Sequence, residues 1–158
     1  ATSISSTYAN HDLLLVPILH GAFIFAADLA RAITIDHRID FLQLSSYKGT
    51  QSHGTVSVDR DLKTDITGLS VLIVEDIVDT GRTLSTALDI LGNRNPASLD
   101  VVTLLSKPSR RKIDNSVRWT GFEISDVFVV GYGLDLEGRY RNLPYITKAT
   151  TTARGSCL

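Results

Sequence analysis

Three acidic residues stand close together just after a strongly apolar run. Residues 71–74 are all aliphatic, which is typical of a strand buried on both faces of a sheet. Glu75 and Asp76 follow at once, and Asp79 comes after two further aliphatic residues. Acids placed there lie at the carboxyl end of a strand, where open α/β sheets bind ligands. They could hold sugar hydroxyls or magnesium, and Asp79 could exchange a proton with a group joined to the sugar.

The residues that follow have the composition of a phosphate loop that opens a helix. A helix N-terminus presents N–H groups at the positive end of its dipole and so favours an anion. Gly81 lacks the Cβ that would prevent close approach, and its neighbours add hydroxyl donors and a positive charge. The residues expected to bind phosphate in this way are Thr80, Gly81, Arg82 and Thr83. The alternative, that the acids before them are only solvated side chains at a strand end, is weaker because three acids fall within five residues.

The whole stretch at residues 71–83, VLIVEDIVDTGRT, resembles the phosphoribosyl-pyrophosphate (PRPP) signature of the type I phosphoribosyltransferases. It is most similar to the hypoxanthine-guanine phosphoribosyltransferases, whose version has Glu-Asp, two aliphatic residues and Asp-Thr-Gly. The resemblance implies that Glu75 and Asp76 hold the ribose hydroxyls and that residues 79–83 cradle the 5′-phosphate. It also makes Asp79 the general acid/base at purine N7.

The resemblance further implies a purine salvage enzyme that converts hypoxanthine or guanine and PRPP to IMP or GMP and pyrophosphate. Magnesium (Mg2+) would be the cofactor, held near Glu75, Asp76 and Asp135. The partners would be the small-molecule substrates, and relatives suggest a homodimer or homotetramer.

Three other stretches carry the resemblance to the pyrophosphate site and the catalytic loop. Residues 19–22, LHGA, resemble the pyrophosphate loop, with a histidine where lysine is usual, so that a permanent charge becomes pH-dependent. Residues 139–145 resemble the segment from which an arginine reaches pyrophosphate. The implied pyrophosphate residues are His20, Gly21 and Arg141. Ser46 and Tyr47 resemble the start of a flexible loop that closes over the reaction centre, with an ordinary surface hairpin as the alternative.

The purine site is implied by matches farther along the chain. Lys107 follows the predicted strand at residues 99–105 and matches the lysine that donates to the purine 6-oxo group, which would favour a 6-oxopurine over adenine. By the same resemblance, Phe128 stacks on the base and Val129 offers backbone groups to its edge. Asp135 would help to hold a second magnesium ion near the purine. Without the resemblance, Lys107 is an ordinary solvated charge and Phe128 part of a core strand.

Size and composition limit the class of protein. The 158 residues fit one domain, here 1–158, and 43% hydrophobic with 21% charged residues is ordinary for a globular protein. A net charge of -1 gives no electrostatic reason to expect nucleic-acid or membrane binding. The single cysteine excludes an internal disulfide, which favours a reducing, cytoplasmic location. The histidines lack the spacing of a zinc site.

The pattern of apolar runs predicts a doubly wound α/β domain with a mostly parallel sheet, and the resemblance implies a small lid near the purine site. The remaining predicted strands lie at residues 12–19, 38–44 and 55–58, and the helices at 23–33 and 84–92. Pro17 indicates an irregular strand end. We expect a frayed start at 1–10, a solvated loop at 110–118 and a mobile tail at 147–158. The absence of methionine and of the family's longer N-terminal helical segment indicates a truncated or processed chain that lacks part of the lid.

Three other functions compete with the transferase. A non-catalytic regulator could use the same pocket as a nucleotide sensor, although it would usually show an added DNA-binding segment or a basic surface. A phosphate-accepting receiver module wants its acid pair on the first strand, and here Glu75 and Asp76 follow two earlier strands. A dehalogenase-type phosphatase needs two acids separated by one residue, whereas Asp76 and Asp79 are separated by two.

Overall fold

A seven-stranded, mostly parallel sheet forms the centre of the structure, a computed structural model that describes residues 1–46 and 56–149. Its strands are β1 (Leu13–Leu19), β2 (His37–Ile39), β3 (Leu42–Ser46), β4 (Val56–Arg60), β5 (Ser70–Val78), β6 (Ser98–Ser106) and β7 (Trp119–Glu123). The order across the sheet is β4-β3-β1-β5-β6-β7, and β2 also pairs with β1. Only the β3–β4 pair among these is antiparallel.

Helices cover both faces of this sheet. They are α1 (Thr2–Thr7), α2 (Phe23–Ala32) and α3 (Arg82–Gly92). Alternate residues of β1 and β5 point to opposite faces, so that Leu14 and Ile73 pack with α3 while Leu15 and Leu72 pack with α1 and α2. A strand covered on both faces has no solvated side, which explains the uninterrupted apolar runs and confirms the doubly wound fold. None of the helices in the described ranges has the length and apolar character needed to cross a membrane.

Pro17 lies inside β1, which continues to Leu19, and its pair with Val74 is the last of the β1–β5 ladder, so the irregularity predicted there is present although the strand does not end at the proline. On the other side of β1 the partner changes at this point, from β2 opposite residues 13–15 to β3 opposite residues 18–19. The Leu15 carbonyl accepts a hydrogen bond from the Asp40 N–H on the side of β2 and β3. Backbone groups two residues apart in a strand point to the same neighbour, so those of Pro17 also point to this side. A residue without an N–H therefore sits where the ladder is interrupted.

The same interruption divides the strand predicted at residues 38–44 into β2 and β3. Asp40 lies between them, is buried, and accepts hydrogen bonds from the backbone N–H groups of Phe41, Lys63 and Thr64 at 2.7–2.8 Å. The carboxylate thus satisfies N–H groups that a continuous ladder would have paired. The break between β2 and β3 is fixed by the single side chain of Asp40. The alternation of polar and apolar residues at 38–44 does not reveal it, which is why the prediction of one strand was wrong.

The two ends of the described chain are more regular than the sequence predicted. Residues 1–10 contain α1, whose Ile4 is 2% exposed, so the prediction of a frayed start is wrong. Tyr8 is also buried, and its hydroxyl donates to Asp100 on β6 at 2.6 Å. Near the other end, β8 (Val129–Val130) and β9 (Thr147–Lys148) form a small antiparallel sheet, which corrects the prediction of a mobile tail for residues 147 and 148. Residues 150–158 lie outside the described part.

We expect Ile4→Ala to lower the free energy of unfolding by about 2–4 kcal/mol, because it removes a fully packed aliphatic side chain. Ser6→Ala, an exposed position on the same helix, should change it by less than about 0.5 kcal/mol. Urea unfolding followed by circular dichroism measures both. Equal stabilities of the Ile4→Ala and unmodified proteins would contradict the docking of α1.

Candidate active site

The acid pair lies inside the central strand rather than after it. β5 continues past the apolar run to Val78, and Glu75 pairs in register with Thr103 of β6. Glu75 is 6% exposed, and its Oε2 has no hydrogen-bond partner among the described residues. The alternative of solvated acids at a strand end is therefore wrong for Glu75. A buried carboxylate oxygen without a partner is costly, so this position is built to receive a donor or a cation from a ligand.

Burial sets the electrostatics of the pair. It raises the pKa of Glu75 well above its usual range, and the adjacent Asp76 raises it further. Burial also raises the pKa of Asp76 to about 6, although the N–H of Ile77 donates to its Oδ1 at 2.9 Å and Arg141 lies near enough to favour the ionised form. The free protein thus holds two carboxyl groups that resist ionisation until a partner arrives.

The loop after β1 lies directly against this pair. A Cβ placed on Gly21 would stand 1.7 Å from Asp76 Oδ2, so only glycine fits there. The preceding Leu19–His20 peptide bond is cis, and the His20 side chain is exposed. The structure therefore brings the predicted pyrophosphate loop and the predicted ribose acids to one edge of the sheet, at the carboxyl ends of neighbouring strands.

The predicted phosphate loop forms the start of α3, as expected. Gly81 is the N-cap residue with φ of 84°, a conformation that favours glycine, and the helix begins at Arg82. A side chain at Gly81 would also meet Asn115 Nδ2 and the Ile113 carbonyl, each at 2.7 Å. Residues 79–83, together with Glu75, line a cavity with an open volume of about 280 Å³. Glu75 and the helix N-terminus thus face one space, whereas Asp76, the next residue of β5, points to the other face, toward Gly21.

Asp79 is more exposed than the pair and has a partner that the sequence did not predict. Arg110 Nε donates to Asp79 Oδ1 at 3.0 Å. Asn115, 9% exposed, donates its amide to the Gly81 carbonyl at 2.6 Å. Both residues belong to the segment predicted as a solvated loop at 110–118, and that prediction is wrong for Asn115, whereas Arg110 is exposed but paired. The only sequence signal was an arginine pair just after Lys107, which a solvated loop explains equally well.

The predicted purine residues gather at the ends of β6 and β8. Lys107 follows β6 and is 6% exposed, so it is not the ordinary solvated lysine of the alternative. Its Nζ lies 3.9 Å from Asp126 Oδ1, two residues before Phe128. Phe128 is 54% exposed and available to a ligand, which excludes the alternative of a core side chain, and Val129 begins β8.

Asp135 and Arg141 form one unit beside the pyrophosphate loop. Arg141 forms an ion pair with Asp135, with 2.7 Å between the guanidinium nitrogen and Oδ1, and donates a hydrogen bond to the Gly133 carbonyl at 2.5 Å. Gly133 has φ of 99°, and a Cβ there would stand 2.2 Å from the Gly21 carbonyl. The segment before β9 is therefore seated on the loop at residues 19–22.

Some predicted features lie outside what the structure describes. Tyr47 of the predicted flexible loop is among the residues not described, and Ser46 is described only as the last residue of β3. Within residues 1–46 and 56–149, no three His, Cys, Asp or Glu side chains are placed to hold a metal ion together. The roles assigned to individual residues remain predictions.

Comparison with known proteins identifies the family. The model of the phosphoribosyl transferase domain matches residues 1–137. The chain is 51% identical over 141 residues to the hypoxanthine phosphoribosyltransferase of Salmonella typhimurium, covering 89% of this chain and 79% of that protein. It is 52% identical over 138 residues to the hypoxanthine-guanine phosphoribosyltransferase of Mycobacterium avium, covering 87% of this chain and 68% of that protein.

Solved structures agree with this result. The hypoxanthine phosphoribosyltransferase of Staphylococcus aureus superposes with a TM-score of 0.89 at 44% identity, covering 93% of this chain and 80% of that one. The Trypanosoma cruzi enzyme in complex with the product IMP gives a TM-score of 0.87 at 38% identity, covering 93% and 83%. With its site at the carboxyl ends of β1 and β5 and its sequence matched over most of its length, this chain belongs to the phosphoribosyltransferase family.

Proposed function

We propose that this protein transfers the phosphoribosyl group of PRPP to a 6-oxopurine, hypoxanthine or guanine, and releases pyrophosphate. The product is IMP or GMP, as in purine salvage. The observation that carries the proposal is the buried Glu75, whose Oε2 has no partner among the described residues and which lines the same cavity as the N-terminus of α3. The relatives reported above are named as transferases, which favours the enzyme over a nucleotide-sensing regulator on the same fold.

Hydrogen-bond donors would hold the 5′-phosphate, and carboxylate acceptors would hold the ribose hydroxyls. N–H groups and hydroxyls of residues 80–83 suit the phosphate because the first turn of a helix has free donors and a favourable dipole. The unpartnered oxygen of Glu75 and the carboxylate of Asp76 suit the ribose hydroxyls, which can donate to them. This division fixes the direction of the sugar, with C1 toward Gly21 and the purine residues.

The base would then be placed by Lys107 and Asp79. Purine N9 attacks C1 of the ribose while the C1–O bond to pyrophosphate breaks and its electron pair leaves with pyrophosphate. Asp79 takes the proton that N7 loses as N9 becomes bonded, and Lys107 donates to the 6-oxo group. Positive charge that develops on the ribose is favoured by the neighbouring carboxylates. Arg141 and the loop at residues 19–22 lie where the departing pyrophosphate would be.

The residues present fit a magnesium ion that arrives with PRPP. Magnesium is commonly bound through one or two carboxylates together with waters and phosphate oxygens. The pair Glu75–Asp76 offers buried carboxylate oxygens for such an ion, while Asp135 is engaged by Arg141 and by the Gly138 N–H at 2.7 Å. Bound there, the ion would neutralise charge on pyrophosphate.

The direct test is the initial rate with hypoxanthine, guanine, xanthine and adenine, each with and without PRPP and magnesium. We expect PRPP-dependent pyrophosphate release with hypoxanthine or guanine and little with adenine, because an ammonium group donates but cannot accept. In Lys107→Gln the preference over adenine should fall at least about tenfold, since an amide can both donate and accept. Release with no base, or none with any base, would contradict the proposal.

We expect Asp79→Asn to reduce turnover by about a hundredfold or more, because the amide cannot take the N7 proton. Binding of PRPP should change little, since the phosphate donors remain. Rapid-quench kinetics and calorimetric titration with PRPP measure the two effects separately. A loss of PRPP affinity as large as the loss of rate would show that Asp79 acts in binding instead.

We expect Asp76→Asn to stabilise the free protein while weakening PRPP binding. The pKa of Asp76 is about 6 in the folded protein because of burial. It is about 4 in an unfolded chain, so the folded state holds the proton more tightly and stability is lost as pH rises from about 4 to 6. Above that window the variant should gain roughly 2 kcal/mol in free energy of unfolding.

At pH 4 most of this gain should vanish, because the aspartate is then protonated in the folded state and about half protonated in the unfolded chain. Urea unfolding at pH 4, 6 and 8 measures the trend, with Asp36→Asn, an exposed position, as the matched control. A gain that did not depend on pH would contradict the electrostatic cause.

A further inference from the structure

A segment that lies outside the family motifs contacts consecutive residues of the phosphate loop. Residues 110–115, which we call the brace, begin at the last residue of the short 3-10 helix Pro108–Arg110 after β6. The brace bonds to Asp79 through Arg110, to the Thr80 carbonyl through two backbone N–H groups, and to the Gly81 carbonyl through Asn115. These partners are about thirty residues apart in sequence, so the contact is made only by the folded sheet.

The backbone contacts decide which way the loop presents its donors. The N–H groups of Lys112 and Ile113 donate to the Thr80 carbonyl at 3.1 and 3.2 Å. A trans peptide is planar, with its C=O and N–H on opposite sides. Holding the carbonyl against the brace therefore turns the N–H of Gly81 to the other side. A loop that binds phosphate through its N–H groups needs its carbonyls fixed elsewhere in this way.

Asn115 reinforces the same arrangement for the next peptide unit, whose Gly81 carbonyl also accepts from the Ser85 N–H at 2.9 Å within the helix. Its side chain is 9% exposed and donates to the Gly81 carbonyl at 2.6 Å. The N–H of Arg82 is then turned away from the brace, at the first helical position, where no intrahelical acceptor exists. The amide packs so closely under Gly81 that a Cβ there would lie 2.7 Å from Nδ2. Loop conformation and Asn115 therefore depend on each other.

Arg110 acts on the proton-transfer group. Its Nε donates to Asp79 Oδ1 at 3.0 Å, and its NH1 lies 3.4 Å from Asp126 Oδ2. Asp126 in turn lies 3.9 Å from the ammonium of Lys107. Arg110 thus holds the Asp79 carboxylate in one orientation and is itself held from the far side. The chain of alternating charges joins the two groups proposed to contact N7 and the 6-oxo group of the base.

We propose that Arg110 and Asn115 are positioning residues: Asn115 sets the N–H groups that bind the 5′-phosphate, and Arg110 orients Asp79. This assignment rests on the proposed function. Because each side chain acts through a different member of the loop, the two have separable kinetic signatures. Changes at Asn115 should weaken PRPP binding, and changes at Arg110 should lower kcat.

For Asn115, the change to Asp is nearly isosteric but places a carboxylate oxygen against the Gly81 carbonyl. We expect the dissociation constants of PRPP and ribose 5-phosphate to rise at least about tenfold, with a smaller rise in Asn115→Ala. Asn10→Asp makes the same change at an exposed position outside the site and should leave both constants unchanged. Calorimetric titration measures the constants, and thermal unfolding shows whether each variant is folded at the temperature used.

For Arg110, we expect Arg110→Gln to lower kcat at least about tenfold while KM for PRPP stays within about twofold. Arg110→Lys should restore part of the rate because it keeps the charge. In an Asp79→Asn background, Arg110→Gln should have no further effect, because the group it orients is gone. Arg94→Gln, which breaks the Arg94–Asp61 pair at 2.9 Å outside the site, is the matched control.

The outcomes separate this assignment from the proposed function. Two results would show that the assignment is wrong while the function stands, provided that the unmodified protein is active. One is that Asn115→Asp binds ribose 5-phosphate with the unmodified affinity. The other is that Arg110→Gln lowers kcat by the same factor in the unmodified and the Asp79→Asn backgrounds. If the unmodified protein releases no pyrophosphate with any 6-oxopurine, the function and the Arg110 assignment both fail. Ribose 5-phosphate titration still decides the role of Asn115 in that case.

Discussion

Two adjacent carboxyl groups withdrawn from water at the end of the central strand set the electrostatics of the site. Glu75 and Asp76 continue β5 beyond its apolar run, and burial raises the pKa of both. Charges removed from water are costly unless a partner is supplied. In the free protein that partner is incomplete, since Glu75 Oε2 lacks one among the described residues. The site therefore gives up stability in the free state that ligand binding can recover, a common trade between stability and activity.

The rest of the fold keeps this costly arrangement in place. β1 and β6 flank β5 with parallel pairing, and both faces of the sheet are covered by packed side chains, so the backbone that carries the two acids is held in place. Gly21 allows the neighbouring loop to approach Asp76, and Gly133 allows the segment before β9 to approach Gly21. Small residues at these contacts let three chain segments meet beside Asp76. On the remaining side, the brace fixes the phosphate loop by its carbonyl groups.

How far the sequence predicted the site depends on whether the necessary residues are contiguous. The strand, the acids and the phosphate loop fall within residues 71–83, so their types and order predicted both local structure and chemistry. The contacts of Asn115 and Arg110 join residues about thirty apart, and neither residue type is unusual for a solvated loop. Helix α1 was missed because six residues without a side-chain cap leave almost no local signal. The corner at Asp40 was missed because backbone N–H groups from a distant segment complete it.

The central claim is that a sugar phosphate binds with its phosphate on the N–H groups after Asp79 and its hydroxyls on the acid pair. A crystal structure of this protein with IMP and magnesium tests it most directly. The account predicts phosphate oxygens within hydrogen-bond distance of the N–H groups of residues 80–83, and ribose hydroxyls within the same distance of Glu75 and Asp76. Density for IMP elsewhere, or a cavity at residues 79–83 left empty at saturating IMP, would contradict it.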